Sequence, residues 1–299
     1  MKTMLQIIQA AAGELGIPRP TLVTGSTTTD TIQLLALLNG LGGDLQQGFI
    51  WQDLSTEYAF TTEYLSATGT TVSGSAVVTG LSSTTGVDST YMVVGTGINT
   101  DTYVLTNDSA TQVTLNQPAT ASGTVTLTFC KTKYPFPADF DRSLDKTQWD
   151  KTQHWQMLGP KTAQQWAWLK SGYISTGPRL SFRVLGGTFQ IWPAITNAER
   201  IGFEYISAYW ARTAAGVAKA EFTLDDDVCM FPDRLMITGL KMRYQEAKGL
   251  GDDFSAKFEQ LLAIAQGADA GSDTLNLGGG RAVDQLIDWR NIPDSGYGE

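Results

Sequence analysis

Apolar residues recur at helical spacing from the start of the chain. Met4, Ile8, Ala11 and Leu15 share one face of a helix predicted over residues 3–15. Thr3 and Gln6 stand at the spacing of a capping box, in which each side chain satisfies a free backbone N–H. Gly16 and Pro18 stop this helix. A second helix is predicted over residues 30–46, where Leu34, Leu38, Leu41 and Leu45 form the stripe and Asp30 is the expected N-cap. Gly40, Gly42 and Gly43 each weaken it by up to about 1 kcal/mol relative to Ala. They mark either a close helix crossing or an early end. A strand over residues 57–64 follows.

The pattern then changes. In residues 66–128, serine and threonine fill 25 of 63 positions, and short β-rich runs alternate with turn residues. The runs are 70–72, 76–79, 91–94, 103–105, 112–115 and 124–129, the last (TVTLTF) with period two. These predict a small β-sandwich of five to seven strands. The flanks YAFTTEYLS and FCKTKYPFPADF read as one β-hairpin of the main fold whose tip the insert replaces. Insertion there disturbs little buried backbone.

After the insert, residues 134–141 (YPFPADFD) are extended and pinned by proline. A helix over 161–172 carries a second capping box, Thr162 with Gln165, and turns Trp166 and Leu169 inward. Residues 180–192 form a hairpin turning at Gly186–Gly187, and residues 200–210 a further strand. Pro232 opens a helix that Gly249 closes, with Met236, Leu240, Tyr244 and Ala247 on its inner side. A last helix over 252–266 has acids in its first turn and buries Phe254, Phe258, Leu261 and Ala265. The expected fold class is therefore α+β: a helical main domain with a small antiparallel sheet, over residues 1–65 and 129–267. An inserted all-β, Ig-like sandwich occupies 66–128, and an extended C-terminal tail 268–299.

Charge sharpens this picture. Residues 20–130 contain no Lys or Arg and eight acids, in a chain of 299 residues with net charge −9. A protein that grips nucleic acid by its phosphates needs a basic face. No run of apolar residues is long enough for a membrane span, and the N-terminus lacks the pattern of a signal peptide. Cys130 and Cys229 suit a reducing compartment and cannot make a disulfide framework.

Candidate chemistry is sparse. His154 is the one histidine, which excludes multi-His metal sites, and a packed, hydrogen-bonded imidazole is the favoured reading for it. Asp225–Asp227 hints at a cation site, but adjacent carboxylates lack the alternate spacing such sites use. A solvated acidic loop is the favoured reading. Gly278–Gly280 before Arg281 have no preceding strand and read as flexible tail rather than anion nest. The four Trp of the 149–168 stretch anchor a core or an interface, or form a sugar platform. No catalytic residue, cofactor or metal is expected. In the tail, Leu275, Leu277, Val283, Leu286, Ile287 and Trp289 are apolar residues in a segment too polar to fold alone. Such a segment buries its side chains on a partner and orders on binding; the alternative is a disordered terminus.

The opening MLQIIQAAAGELGIPRPTLV, then QLLALLNGLGGDL with FIWQDL, YPFPADFDRSLDKTQWDK, LGP with a helix containing QQW, FRVLGGTFQIWPA, FEYISAYW and LMITGLKMRYQEAKGL resemble the head-to-tail adaptor proteins of short-tailed phages. The resemblance covers residues 3–62 and 129–266, and the insert departs from it. It implies a homo-oligomeric ring, dodecameric in the family, bound below the portal protein. The ring extends the DNA channel to the tail nozzle and offers surfaces to fibres, spikes and capsid. DNA passes without specific binding, no membrane is engaged, and the place of action is the virion neck, assembled in the host cytoplasm. The tail residues named above are the expected portal-docking segment. Two other readings remain open from the residues: a peptidoglycan hydrolase using a carboxylate pair, and glycan adhesion through the β insert.

Overall fold

The computed structural model describes residues 1–171, 179–251 and 254–270. The fold is α+β, with five helices and several antiparallel sheets among these residues. The helices are α1 (Met4–Leu15), α2 (Thr29–Gly48), α3 (Ala163–Lys170), α4 (Asp233–Lys248) and α5 (Ser255–Ala270). The strands run β1 (Ser55–Thr61), β2 (Tyr64–Thr71), β3 (Val77–Val78), β4 (Tyr91–Gly95), β5 (Val104–Ser109), β6 (Gln112–Leu115) and β7 (Gly123–Lys131). They continue with β8 (Lys133–Pro135), β9 (Phe140–Ser143), β10 (Trp149–Asp150), β11 (Trp155–Gln156), β12 (Ser181–Leu185), β13 (Thr188–Trp192) and β14 (Arg200–Ser207).

Local signals set the helix ends. Both capping boxes form, Thr3 with Gln6 on α1 and Thr162 with Gln165 on α3. Gly16 and Gly249 close α1 and α4 with φ of 74° and 67°, a conformation that costs glycine nothing. Asp30 does not cap α2. The cap is Thr28, and Asp30 lies inside the first turn, where it accepts from Tyr244 Oη and Lys248 Nζ of α4. The glycines of α2 do not end it; they let a neighbour in. A Cβ on Gly42 would lie 2.3 Å from the Trp210 ring, and one on Gly40 3.1 Å from Arg243.

Four of the five helices, α1, α2, α4 and α5, share one core. Met4, Ile7 and Ile8 of α1, Leu34, Leu38 and Leu41 of α2, and Leu235, Met236 and Leu240 of α4 are buried together around Trp51, Trp210 and Phe231. Ala247, expected on the inner side of α4, is exposed. On α5, Ala265 is buried while Phe258 and Leu261, like Phe254 just before the helix, are half-buried, because this helix covers the outside of α4.

A second core is rich in aromatic rings, with Met157, Ile191, Ile195 and Ile201 among them. Strand β14 is central to its sheet, pairing along its length with β1 on one side and with β9 and β10 on the other. A separate sheet, ordered β12-β13-β8, faces it. Phe60, Tyr134, Phe136, Phe140, Phe182, Phe189, Phe203 and Tyr205 pack between them. The turn at Gly186–Gly187 has φ of 58° and 70°, the backbone that a two-residue hairpin loop requires.

Residues 64–131 form two three-stranded sheets, ordered β2-β7-β4 and β3-β6-β5. Single bridges join them at both seams, Thr70 to Thr79 and Met92 to Tyr103. The six strands thus wrap a closed core of Ala67, Val78, Val93, Val104, Val113, Leu127 and Phe129. The first and last strands pair from Tyr64 opposite Cys130 to Thr71 opposite Gly123. The expected hairpin of the two flanks forms only at its insert end, where Tyr64 and Leu65 stand opposite Cys130 and Phe129; beneath that it does not continue. β1 pairs with β14, and β8 with β13, so the two flanks enter different sheets. The β-rich segment also rests on the rest of the chain. Met92 packs with Trp166 and Trp192, and Asp101 pairs with Lys170 at 2.8 Å.

Candidate functional site

The apolar tail residues Leu275, Leu277, Val283, Leu286, Ile287 and Trp289 lie outside the described residues, as do Gly278–Gly280. What the structure places is the surface from which this segment departs. α5 continues to Ala270, three residues into the expected tail. Beside its last turn is an open groove of about 530 Å³, with Met1, Trp51, Met230, Pro232, Ala265 and Asp269 on its walls. The Asp269 carboxylate accepts the backbone N–H of Gln52 at 2.8 Å and so fixes the end of α5 to the turn before β1.

The acidic run is not a solvated loop. Asp225 accepts the backbone N–H groups of Val23 and Thr24 and thereby pins the segment between α1 and α2. Asp227 is fully buried. Its Oδ2 accepts from Lys219 at 2.5 Å and from the N–H groups of Thr223 and Leu224. Burial opposes its ionisation, but those three donors outweigh it and hold the carboxyl below its ordinary range. Only Asp226 faces solvent. Three neighbouring carboxylates therefore have three environments, and no group of three or more potential metal ligands occurs among the described residues.

His154 is also not a packed imidazole. It sits exposed in the turn between β10 and β11 with φ of 58°. The turn is held by Asp150, whose Oδ1 accepts the N–H groups of Thr152 and Gln153. The four Trp of this region separate: Trp166 is buried, Trp149 half-buried, and Trp155 and Trp168 are largely exposed. They make no single platform.

The structure brings together two carboxyl groups that sequence reading did not connect. Asp150 and Glu199 are both buried, and both border a small cleft of about 210 Å³ beside Trp155 and Asn197. Glu199 Oε1 accepts from Asn197 at 3.1 Å and Gln153 at 3.4 Å. Burial, followed by the charge of Asp150, raises the Glu199 pKa. A carboxyl whose pKa is higher folded than unfolded binds protons more tightly in the folded state. Its contribution to stability is therefore lost as pH rises through the folded pKa. Glu199→Gln keeps the shape of the protonated form. It is expected to raise Tm at neutral pH and leave it unchanged near about pH 4. Thermal melts of both proteins across that range check this.

Cys130 and Cys229 are buried free thiols, and burial pushes both up to about 12, so neither carries a reactive thiolate. None of the described helices is long and apolar enough to cross a membrane. No protein-family model matches the sequence, and no curated protein matches it at a significant level.

Proposed function

We propose that the protein is a structural head-to-tail adaptor of a short-tailed phage. Copies of it form a closed ring, dodecameric as in the family it resembles, below the portal protein. The ring extends the DNA channel and joins the portal to the tail nozzle, with outward surfaces for fibres, spikes or capsid. It acts as a shaped wall rather than as an enzyme, in the neck of the virion after assembly in the host cytoplasm.

One observation carries this reading. The resembling segments are scattered through the chain, yet their rings converge. Tyr134, Phe136 and Phe140 of YPFPADFD, Phe182 and Phe189 of FRVLGGTFQIW, and Phe203 and Tyr205 of FEYISAYW pack into one core. The resembling segments thus belong to one folded unit, as a resemblance that runs through the whole main fold requires. The charge distribution also favours it. The stretch 20–130 holds eight acids and no cation, and a surface of that charge, lining a channel, would let DNA slide past.

In this reading the β-rich segment is an Ig-like module. Its strand order supports this. β3-β6-β5 corresponds to neighbours B-E-D of an Ig sandwich and β7-β4 to F-C, with β2 taking the place beside F that the last strand fills there. The tail, with Leu275, Leu277, Val283, Leu286, Ile287 and Trp289, docks on the portal.

Truncation after Ala270 tests the docking. It is expected to abolish copurification with portal while leaving the melting curve in place, since α5 stays whole. Undiminished copurification rejects the tail's role. Mass measurement of the intact protein, alone and with portal, tests the ring itself.

A further inference from the structure

A cavity of about 260 Å³ opens where the β-rich segment, α3 and the sheet β12-β13-β8 meet. Met92, Trp166 and Leu185 give it apolar walls, and Tyr103, Lys133 and Lys170 are among its other lining residues. The Lys133 Nζ lies 5.3 Å from the centre of the Tyr103 ring and donates to the Ser89 carbonyl at 3.2 Å. An ammonium carries three donors and no acceptor, so two remain. Lys170 Nζ lies 5.9 Å from the Trp192 ring and bonds Asp101 at 2.8 Å.

The strand register adds a third cation. Gln190, which also borders the cavity, stands opposite Lys133 of β8 on one side and opposite Arg183 of β12 on the other. Residues directly opposite in a ladder share a face of the sheet. Among the described residues no carboxylate pairs with Lys133 or Arg183. Lys133 and Lys170 line the cavity, and Arg183 stands at its edge, opposite Gln190 and two residues before Leu185 on the same face; Asp101 offsets one of these three charges. Ammonium groups fixed beside apolar walls attract an anion more strongly than they would in bulk solvent, and the Tyr103 and Trp192 rings hold them in place. The apolar walls disfavour a bare hydrated ion and suit a hydrocarbon stem.

We propose that this cavity binds an organic carboxylate: one carboxylate on a short apolar stem. The carboxylate engages Lys133 and Arg183, and the stem lies against Met92, Trp166 and Leu185. A free aliphatic acid and a glutamate side chain offered by another protein share this chemistry. The proposal is independent of the adaptor reading.

Calorimetric titration of the full chain with hexanoate, hexanol, N-acetyl-glutamate amide and inorganic phosphate tests it. At least one of the two carboxylates should bind saturably and more tightly than hexanol or phosphate. Lys133→Gln and Arg183→Gln should each weaken that binding about tenfold, the effect of one lost charge-assisted hydrogen bond, and Lys133→Arg should retain it. Tighter hexanoate identifies a free acid as the source; a tighter glutamate derivative identifies a partner's side chain. Equal affinity for hexanol or phosphate, no saturable binding of either carboxylate, or wild-type affinity in both glutamine variants overturns the proposal. Melting curves confirm that each variant is folded. If one is not, the other decides.

Discussion

Phe203→Ala lowers stability by about 3–5 kcal/mol, the usual cost of emptying a large aromatic site in a packed core. At this chain length that is a fall in Tm of roughly 10 °C. Phe203 is 1% exposed and is the hub of the aromatic core. Its ring centre lies 5.2 Å from Phe189, 5.5 Å from Tyr58 and 5.8 Å from Phe136, with Phe140 and Tyr205 next. These neighbours come from β1, β9, β13, β14 and the turn after β8, so no single element can move to refill the space. Leu105→Ala on the β-rich segment is the control. Leu105 is half-exposed, and its loss should change stability by no more than about 0.5 kcal/mol. Chemical denaturation of the three proteins measures both.

Gly42→Ala and Gly43→Ala are adjacent substitutions with opposite expected signs. In an exposed helix either change stabilises by up to about 1 kcal/mol. At Gly43 nothing lies within 4 Å of the added Cβ, so that gain should appear. At Gly42 the added carbon would lie 2.3 Å from two Trp210 ring atoms. Trp210 is itself 2% exposed, and Phe222 and Phe231 pack against it, so it has nowhere to retreat. Overpacking of this kind costs about 3 kcal/mol. Equal melting shifts for the two variants would show that Trp210 does not rest on α2 in this way.

These cases mark what the sequence made legible. The Thr-x-x-Gln capping boxes and the Gly186–Gly187 turn were readable because each is satisfied within a few residues. The glycines of α2 announced a close crossing or a break, but the side chain filling the gap, Trp210, is 168 residues away in sequence. Non-local pairing defeated the hairpin expectation. β1 reads as a strand, yet nothing in it names β14 as its neighbour rather than β8. Asp225 and Asp227 looked like loop acids because their partners, the N–H groups of Val23 and Thr24 and the ammonium of Lys219, carry no sequence signal. His154 turned out exposed because the Asp150 carboxylate folds the chain into a tight turn there. Asp150 and Glu199 are 49 residues apart, so only the fold could place both beside one cleft. The tail residues proposed to dock on the portal lie outside the described residues.

As proposed, the chain is a wall element of a phage neck. A reconstruction of intact virions, with the protein located in the density, tests it most directly. The account predicts a closed ring of copies around the DNA channel, directly below the portal and above the nozzle. Density for this protein away from the neck, or its absence from mature particles, would contradict it.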